Sequence, residues 1–202
     1  MFVQVFQGHV SDSQEVRAHL DRWVTELGPG AGGWLGSTAG VTDDGLLVAL
    51  ARFESEEAAR RNSERPEQGA WWEGLAVLFI DEPTFHDSTW VDVDTSGDPG
   101  GAGFVQVMQG RSSDPERGRE LMTSDPTDWQ TFRPDILGTL MCHHDTDGWT
   151  MAIYFTSEAA ARAGEQKPPP PETLEMMKEM DALTIGEPTF FDLREPWFGA
   201  PG

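Results

Sequence analysis

The segments FVQVFQG (residues 2–8) and FVQVMQG (residues 104–110) differ at one position and begin two series of matches along the chain. At the same spacing, FESEEAAR (residues 53–60) recurs as FTSEAAAR (residues 155–162). Later, EPTFHD (residues 82–87) recurs as EPTFFD (residues 187–192), with a slightly larger spacing that we place at the proline run 168–171. Matches in one fixed order and at an almost constant spacing indicate a tandem duplication.

The duplication predicts how the chain divides. We expect a first repeat over residues 1–94, a linker over 95–103, a second repeat over 104–198 and a tail over 199–202. The linker, TSGDPGGAG, consists mainly of residues that favour turns and flexible connections.

Each repeat shows the pattern strand, helix, strand, strand, helix, strand, which is typical of a ferredoxin-like α+β module. Ser11 is predicted to cap the first helix, with Gln14 completing a capping box, and Pro66 interrupts the second helix. In the first repeat, the predicted strands are 2–9, 34–41, 45–53 and 84–93, the first helix follows Ser11, and the second follows Ser55.

The first strand is apolar on both sides, since Val3 and Val5 point one way and Phe2 and Phe6 the other. A strand with two apolar sides is buried on both faces of its sheet. Helices cover one face, so we expect the second repeat's sheet to cover the other, in a barrel-like arrangement. Gln4, and Gln106 by repetition, would then be polar groups near this junction of sheets.

The amino-acid composition excludes several kinds of binding partner. The formal net charge is −21, from 35 acidic and 14 basic residues, and such a surface repels nucleic acid and anionic membranes. The single cysteine excludes an intrachain disulfide. The sequence shows no signal peptide pattern and no long apolar run, so we expect a cytoplasmic protein. Because the second repeat supplies the partner that a single copy would recruit by dimerisation, we expect a viable monomer, without excluding further oligomerisation.

Three features of the sequence indicate a resemblance to a known family. They are the order of elements, the Ser-Glu-x-Ala-Ala start of the second helix (residues 55–59), and the late tryptophans Trp71 and Trp72. The chain resembles the dimeric α+β barrel superfamily, and within it the antibiotic biosynthesis monooxygenase-like group. In that group two ferredoxin-like chains close a barrel, whereas here both copies lie in one chain. The resemblance covers both repeats, and it implies a small-molecule pocket between the sheet and the helices.

The resemblance also implies which residues carry the site. Cofactor-independent oxygenases of the group use an Asn and a Trp on the second helix, with a Tyr or Arg nearby. Asn62, Trp72 and Arg52 are the matches to this pattern, and Trp71 and His86 are further candidates to line the pocket. Asn62 and His86, the latter as a base of near-neutral pKa, are the candidate catalytic residues, and Trp71, Trp72 and Arg52 are the candidate ligand-binding residues. The position four residues after Asn62, where that pattern has its tryptophan, is Pro66, and the first repeat contains no tyrosine.

Each candidate also has a structural interpretation. One of the two tryptophans fills the core, Asn62 can lie in solvent near the helix end, and His86 can be a satisfied core residue, since Phe191 replaces it in the second repeat. Adjacent strand residues point to opposite faces, so His143 and His144 do not form a metal pair. No metal and no cofactor are expected.

The sequence is therefore consistent with two functions. The first is binding or oxidation of a small aromatic molecule in the first-repeat pocket, as in a cofactor-independent monooxygenase. The second is a non-catalytic ligand-binding or scaffold protein that kept the fold and lost the active site. In either case we expect the ligand in the first repeat, because the second repeat carries Met176 and Met177 in place of the tryptophans and four prolines, 168–171, in its second helix.

Overall fold

A computed structural model describes residues 1–202 of the protein, which divide into two compact units. The first unit comprises Met1–Val91 together with Leu193–Gly202, and the second comprises Asp92–Asp192. The last ten residues of the chain therefore belong with the first unit. Residues 193–198, which the sequence repeat assigns to the second copy, lie in this returning segment.

Ten strands and seven α-helices form the two units. The strands are β1 (Phe2–His9), β2 (Trp34–Val41), β3 (Leu46–Phe53), β4 (Thr84–Ser88), β5 (Trp90–Thr95), β6 (Phe104–Arg111), β7 (Ile136–His144), β8 (Gly148–Phe155), β9 (Thr189–Leu193) and β10 (Trp197–Gly199). The helices are α1 (Ser13–Arg22), α2 (Glu56–Ser63), α3 (Pro66–Ala76), α4 (Pro115–Ser124), α5 (Trp129–Phe132), α6 (Glu158–Glu165) and α7 (Pro171–Leu183). None of these helices combines the length and apolar character of a membrane span.

The strands form two five-stranded sheets, ordered β10-β2-β3-β1-β4 and β5-β7-β8-β6-β9. The α+β class and the ferredoxin-like order of elements in each repeat are confirmed. The predicted single strand over 84–93 is wrong: β4 and β5 are separate strands in different sheets. The chain bends between them at Thr89, and the hydroxyl of Ser88 spans the bend by accepting from the backbone N–H of Trp90 at 3.1 Å and donating to its carbonyl at 3.0 Å. A sequence that alternates smoothly gives no sign of such a bend.

The first helix has the expected type of side-chain cap, but the capping residue lies one position later than predicted. Asp12, rather than Ser11, caps α1, since its carboxylate accepts from the backbone N–H groups of Gln14 and Glu15 at 2.9 and 3.0 Å. A carboxylate is favoured at this end of a helix because it also faces the positive end of the dipole. The Ser11 hydroxyl instead donates to the carbonyl of Leu78 at 3.1 Å.

The register of the first sheet shows which side chains share a face, because directly paired residues point the same way. Gln4 pairs with Ala51 of β3 and with Asp87 of β4, and its amide donates to Asp87 at 2.9 Å. Phe2, two residues away on the same side, packs among the buried residues of the helices. The prediction that Gln4 faces away from the helices, toward a junction of sheets, is therefore wrong.

Candidate functional site

A cavity of about 340 Å³ opens in the first unit between the sheet and the helices. One wall comes from the strands, with Phe6, Ala39, Ala49, Ala51 and Phe53 among its residues. The facing wall comes from the helical segments and carries three tryptophans. Its residues include Leu20, Trp23, Val24, Ala59, Asn62, Gln68, Trp71 and Trp72. The cavity thus lies where the family resemblance predicts a small-molecule pocket.

An irregular helix end shapes one side of this cavity. After α1, residues Trp23–Leu27 form a π-helical turn and Gly28–Gly30 a 3₁₀ turn. Single π-helical turns inside longer helices occur frequently at functional sites. The wider turn carries Trp23 and Val24, which both line the cavity, and the ring of Trp23 meets that of Trp34 edge-on at 4.7 Å.

Trp71 joins α1 to α3 by a reciprocal pair of hydrogen bonds. Its indole N–H donates to the carbonyl of His19 at 3.1 Å, and His19 Nε2 lies 2.9 Å from the carbonyl of Trp71. The Arg22 guanidinium lies 2.7 Å from His19 Nδ1. Because a guanidinium only donates, the imidazole tautomer with its proton on Nε2 satisfies both contacts. Trp71 is therefore held rigidly at the cavity wall.

Trp72 reaches a different part of the wall. Its ring lies 5.7 Å from Phe6 in an edge-on arrangement and 5.3 Å from Phe85. Phe85 lines the cavity although its residue is 46% exposed, so this aromatic group stands at the cavity mouth. Both predicted tryptophans thus line the cavity while also packing against the core.

Asn62 is buried, with 6% of its surface exposed, and lies in a polar network at the cavity wall. Its Nδ2 donates to Gln68 Oε1 at 3.2 Å, and its Oδ1 accepts from Arg65 Nη1 at 2.9 Å. The same Gln68 oxygen accepts from the Trp23 indole at 2.6 Å. Arg65 also donates to the carbonyl of Leu27 at 3.2 Å, which ties α2 and α3 to the end of the first helical segment.

Arg52 and His86 lie on the other face of the sheet. Arg52 pairs with Val3 and His86 pairs with Val5, whereas the cavity is on the side of Phe6 and Phe85. Neither Arg52 nor His86 lines the cavity. The structure brings Asn62, Trp71 and Trp72 together, and it separates them from the other two predicted site residues by the thickness of the sheet.

The sequence motifs did not assign several residues to the cavity, namely Trp23, Trp34, Gln68 and Trp197. Gln68 lies six residues after Asn62, beyond the proline that divides the helix, so regular helical spacing could not relate the two. Trp197 comes from the far end of the chain. The number of tryptophans, 8, was a signal in the sequence, since five of them line the cavity.

Two of the tryptophans that line the cavity have an indole N–H group that forms no hydrogen bond within the protein. The indole N–H groups of Trp34 and Trp197 are buried and donate to no acceptor in the protein. Buried N–H groups without an acceptor are rare because each loses its hydrogen bond to water.

The corresponding region of the second unit is filled by an arginine. By the repeat, Phe155 and Ala161 correspond to the cavity residues Phe53 and Ala59, and Gly164 corresponds to Asn62. The Arg133 guanidinium lies over the Phe155 ring at 5.6 Å and donates to the carbonyl of Ala161 at 3.4 Å.

Gly164 makes room for this arginine. A Cβ on Gly164 would lie 2.6 Å from Arg133 Nη2, so a larger residue cannot occupy the position unless the arginine moves. Arg133 also forms a buried ion pair with Asp135, with hydrogen bonds of 2.7 and 3.0 Å. Burial raises the pKa of Asp135, but the hydrogen bonds from Arg133 and the backbone outweigh it and hold the pKa below its ordinary value.

No protein-family model and no curated protein sequence matches the chain. Solved structures do match its fold. A candidate monooxygenase from Lactobacillus acidophilus shares 13% identity and superimposes with a TM-score of 0.77, covering 100% of this chain and 96% of the other. An anthrone oxidase-like protein shares 12% identity with a TM-score of 0.69, covering 100% and 93%.

A third structure bears directly on the predicted resemblance. It is an uncharacterised ferredoxin-fold protein from Listeria monocytogenes, related to antibiotic biosynthesis monooxygenases. It shares 12% identity with a TM-score of 0.51, covering 100% of this chain and 95% of the other. The chain therefore has the fold of the antibiotic biosynthesis monooxygenase-like proteins, with two ferredoxin-like units in one polypeptide, and the predicted resemblance is confirmed at the level of the fold.

Proposed function

We propose that the first unit binds a compact, oxygenated aromatic molecule in its cavity and oxidises it with molecular oxygen, without a metal or an organic cofactor. The observation that carries this proposal is an aromatic cavity with the fixed carboxamide of Asn62 in its wall. Neighbours of the same fold that are described as a candidate monooxygenase and an anthrone oxidase-like protein support the chemistry.

The cavity wall favours a flat and largely apolar ligand. Five tryptophans line it, and indole rings contact an aromatic ligand through offset stacking or edge-on packing. The volume of about 340 Å³ lies near the lower end of the usual range for small-molecule sites.

Asn62 keeps hydrogen-bonding capacity for such a ligand. A carboxamide offers two donor hydrogens and two acceptor lone pairs. One hydrogen is used by Gln68 and one lone pair by Arg65, which leaves one donor and one acceptor. Because these contacts also fix the side chain, the remaining N–H is preorganised to stabilise negative charge that develops on a ligand oxygen.

An anthrone shows how such an oxidation balances. The ring methylene carbon loses two hydrogen atoms and becomes a carbonyl carbon. Molecular oxygen supplies the carbonyl oxygen, and its second atom leaves as water with the two hydrogens. The substrate gives up four electrons and oxygen accepts four, so no other oxidant or reductant takes part. The role of the cavity is to exclude bulk water and to stabilise the deprotonated, electron-rich ring system.

Oxygen consumption with 1,8-dihydroxyanthrone tests the proposal. The protein should accelerate oxygen uptake and quinone formation above the rate in buffer and with heat-denatured protein. Asn62→Ala should lower kcat by about tenfold to a hundredfold, since removal of one stabilising donor typically has that effect or more. The matched control is Gln106→Ala, which removes a buried amide of the second unit whose partner is Asp192, and it should leave the rate unchanged.

A non-catalytic binding protein is the second candidate, favoured by the commitment of Asn62 to Arg65 and Gln68 and by the absence of tyrosine from the first repeat. Quenching of tryptophan fluorescence by 1,8-dihydroxyanthraquinone, together with oxygen uptake no faster than in buffer, would establish this candidate and reject catalysis. Failure of both the anthrone and the anthraquinone to bind would reject the cavity as an aromatic site.

A further inference from the structure

The last strand of the chain forms part of the cavity wall. β10 pairs with the outer edge of β2, with Trp197 opposite Ala39 and Gly199 opposite Ser37. All three residues of β10 line the cavity. By sequence this strand follows the second repeat, yet it belongs to the compact first unit. A first repeat ending near residue 94 would therefore lack one wall of its own cavity.

The contact between β10 and the first unit is closely fitted at two glycines. A Cβ on Gly199 would lie 2.7 Å from Ser37 Oγ, 2.9 Å from Val24 Cγ2 and 3.1 Å from Trp34 Cζ2. Gly36 has a φ of +126° and faces the carbonyl of Gly199, which would lie 2.8 Å from a Cβ there. Only residues without side chains allow the strand to approach so closely, so its position against the cavity is specified by the sequence.

Trp197 lies on the cavity side of this strand. Its pairing with Ala39, itself a cavity residue, gives the indole the same facing as the sheet residues of the wall. The Arg17 guanidinium lies over the ring at 5.7 Å, and the ring packs against the buried cluster that includes Val16 and Leu75. Contacts with α1 therefore support the indole on one side, and its other side faces the cavity.

We propose that β10, acting through the indole of Trp197, sets the size of the ligand that the cavity accepts. The strand is a specificity-determining element that the end of the chain supplies to the first unit. This inference rests on the proposed function, because it takes the cavity to be the ligand site. It adds a reason for the chain to extend beyond one repeat: the first cavity is complete only when the C-terminal strand is in place.

Binding of two quinones of different size to the full chain tests the inference. The probes are 1,8-dihydroxyanthraquinone, with three fused rings, and doxorubicinone, with a fourth ring, both followed by tryptophan fluorescence quenching. Trp197→Ala should weaken the three-ring probe by about tenfold or more, since even one missing methylene in an apolar pocket has an effect of this size. The same variant should bind doxorubicinone at least as tightly as the unchanged protein, because the cavity is larger.

Two further variants guard against an effect on folding. Trp197→Phe keeps an aromatic wall and should lose less affinity for the three-ring probe than the alanine variant. Gly199→Ala leaves Trp197 intact but pushes the strand away, so it should shift the preference toward doxorubicinone as well. Trp129→Ala, in the second unit and outside the cavity, is the control and should match the unchanged protein.

The outcomes separate the two proposals. Unchanged affinities for both probes in Trp197→Ala and Gly199→Ala, with binding to the unchanged protein intact, would overturn the role of β10 and leave the proposed function standing. Binding of neither probe to the unchanged protein would overturn the proposed function and this inference with it. A size preference that moves in both cavity variants but not in Trp129→Ala would support the inference.

Discussion

Replacing Arg133 by alanine tests the account of the second unit, where this arginine fills the region that corresponds to the first cavity. Arg133 and Asp135 have side chains only 11% and 9% exposed, and three hydrogen bonds of 2.7, 3.0 and 3.3 Å join them. The alanine variant would leave Asp135 as a buried carboxylate without its counter-ion. It would also remove the cation that lies over the Phe155 ring.

The expected loss of stability follows from the burial of the Arg133–Asp135 ion pair. Breaking a buried ion pair by removing one partner destabilises a protein by about 3–5 kcal/mol, whereas a surface pair contributes about 1 kcal/mol or less. We therefore expect Arg133→Ala to lower the free energy of unfolding of the second unit by about 3–5 kcal/mol at pH 7. The double variant Arg133→Ala with Asp135→Ala should lose less, because no unpaired charge stays buried.

The loss should depend on pH in a defined direction. The pKa of Asp135 is lower in the folded protein than its ordinary value, so its pair with Arg133 stabilises the fold above that ordinary value and ceases to do so as the pH falls through the folded pKa. The difference between Arg133→Ala and the unchanged protein should thus be largest near neutral pH and shrink below about pH 4.

Urea unfolding followed by circular dichroism, at pH 7 and at several values down to pH 3, measures these quantities. A loss below about 1 kcal/mol at pH 7 would mean that the pair behaves as a surface pair and would refute the reasoning. So would a difference that grows as the pH falls. A double variant as unstable as the single one would show that the lost packing of the arginine, rather than the unpaired carboxylate, causes the effect.

Three further predictions concern buried residues elsewhere. Burial raises the pKa of Cys142 to about 12, so a thiol reagent at pH 8 should label it only after denaturation, and rapid labelling of the native protein would contradict its burial. Leu75→Ala should destabilise the first unit by about 2–5 kcal/mol in urea titrations, since Leu75 is fully buried, whereas Val77→Ala, at a residue 77% exposed, should change stability by less than about 0.5 kcal/mol. Burial lowers the pKa of His143, despite the opposing effect of Asp92, so the unfolded chain binds a proton more readily and stability should fall as the pH drops below about 6.5. His143→Gln should flatten that part of the pH profile, and an unaltered profile would reject the assignment.

Much of the fold could be predicted because it depends on local patterns. The duplication is visible in FVQVFQG and FVQVMQG, and the alternation of apolar residues identifies strands such as β1. The sequence Asp43-Asp44-Gly45 between β2 and β3 is a typical turn sequence, and Gly45 has a φ of +88° in the structure. The second-helix cap at Ser55 also has its predicted role, since its hydroxyl accepts from the backbone N–H of Ala58 at 3.2 Å. The family resemblance placed Asn62, Trp71 and Trp72 on a pocket wall, where they lie.

The two repeats, their main order of strands and helices, and the aromatic character of the first one can be read from the sequence, because each depends on residues close together along the chain. The decision on which face of β1 meets the helices comes from the three-dimensional packing, since alternation defines two sides of a strand but does not say which is which. That decision moved Gln4 to the cavity side and Arg52 and His86 to the other. The three-dimensional packing also places Trp197 in the first unit. Pairing between strand edges far apart in the chain depends on contacts that no local pattern encodes.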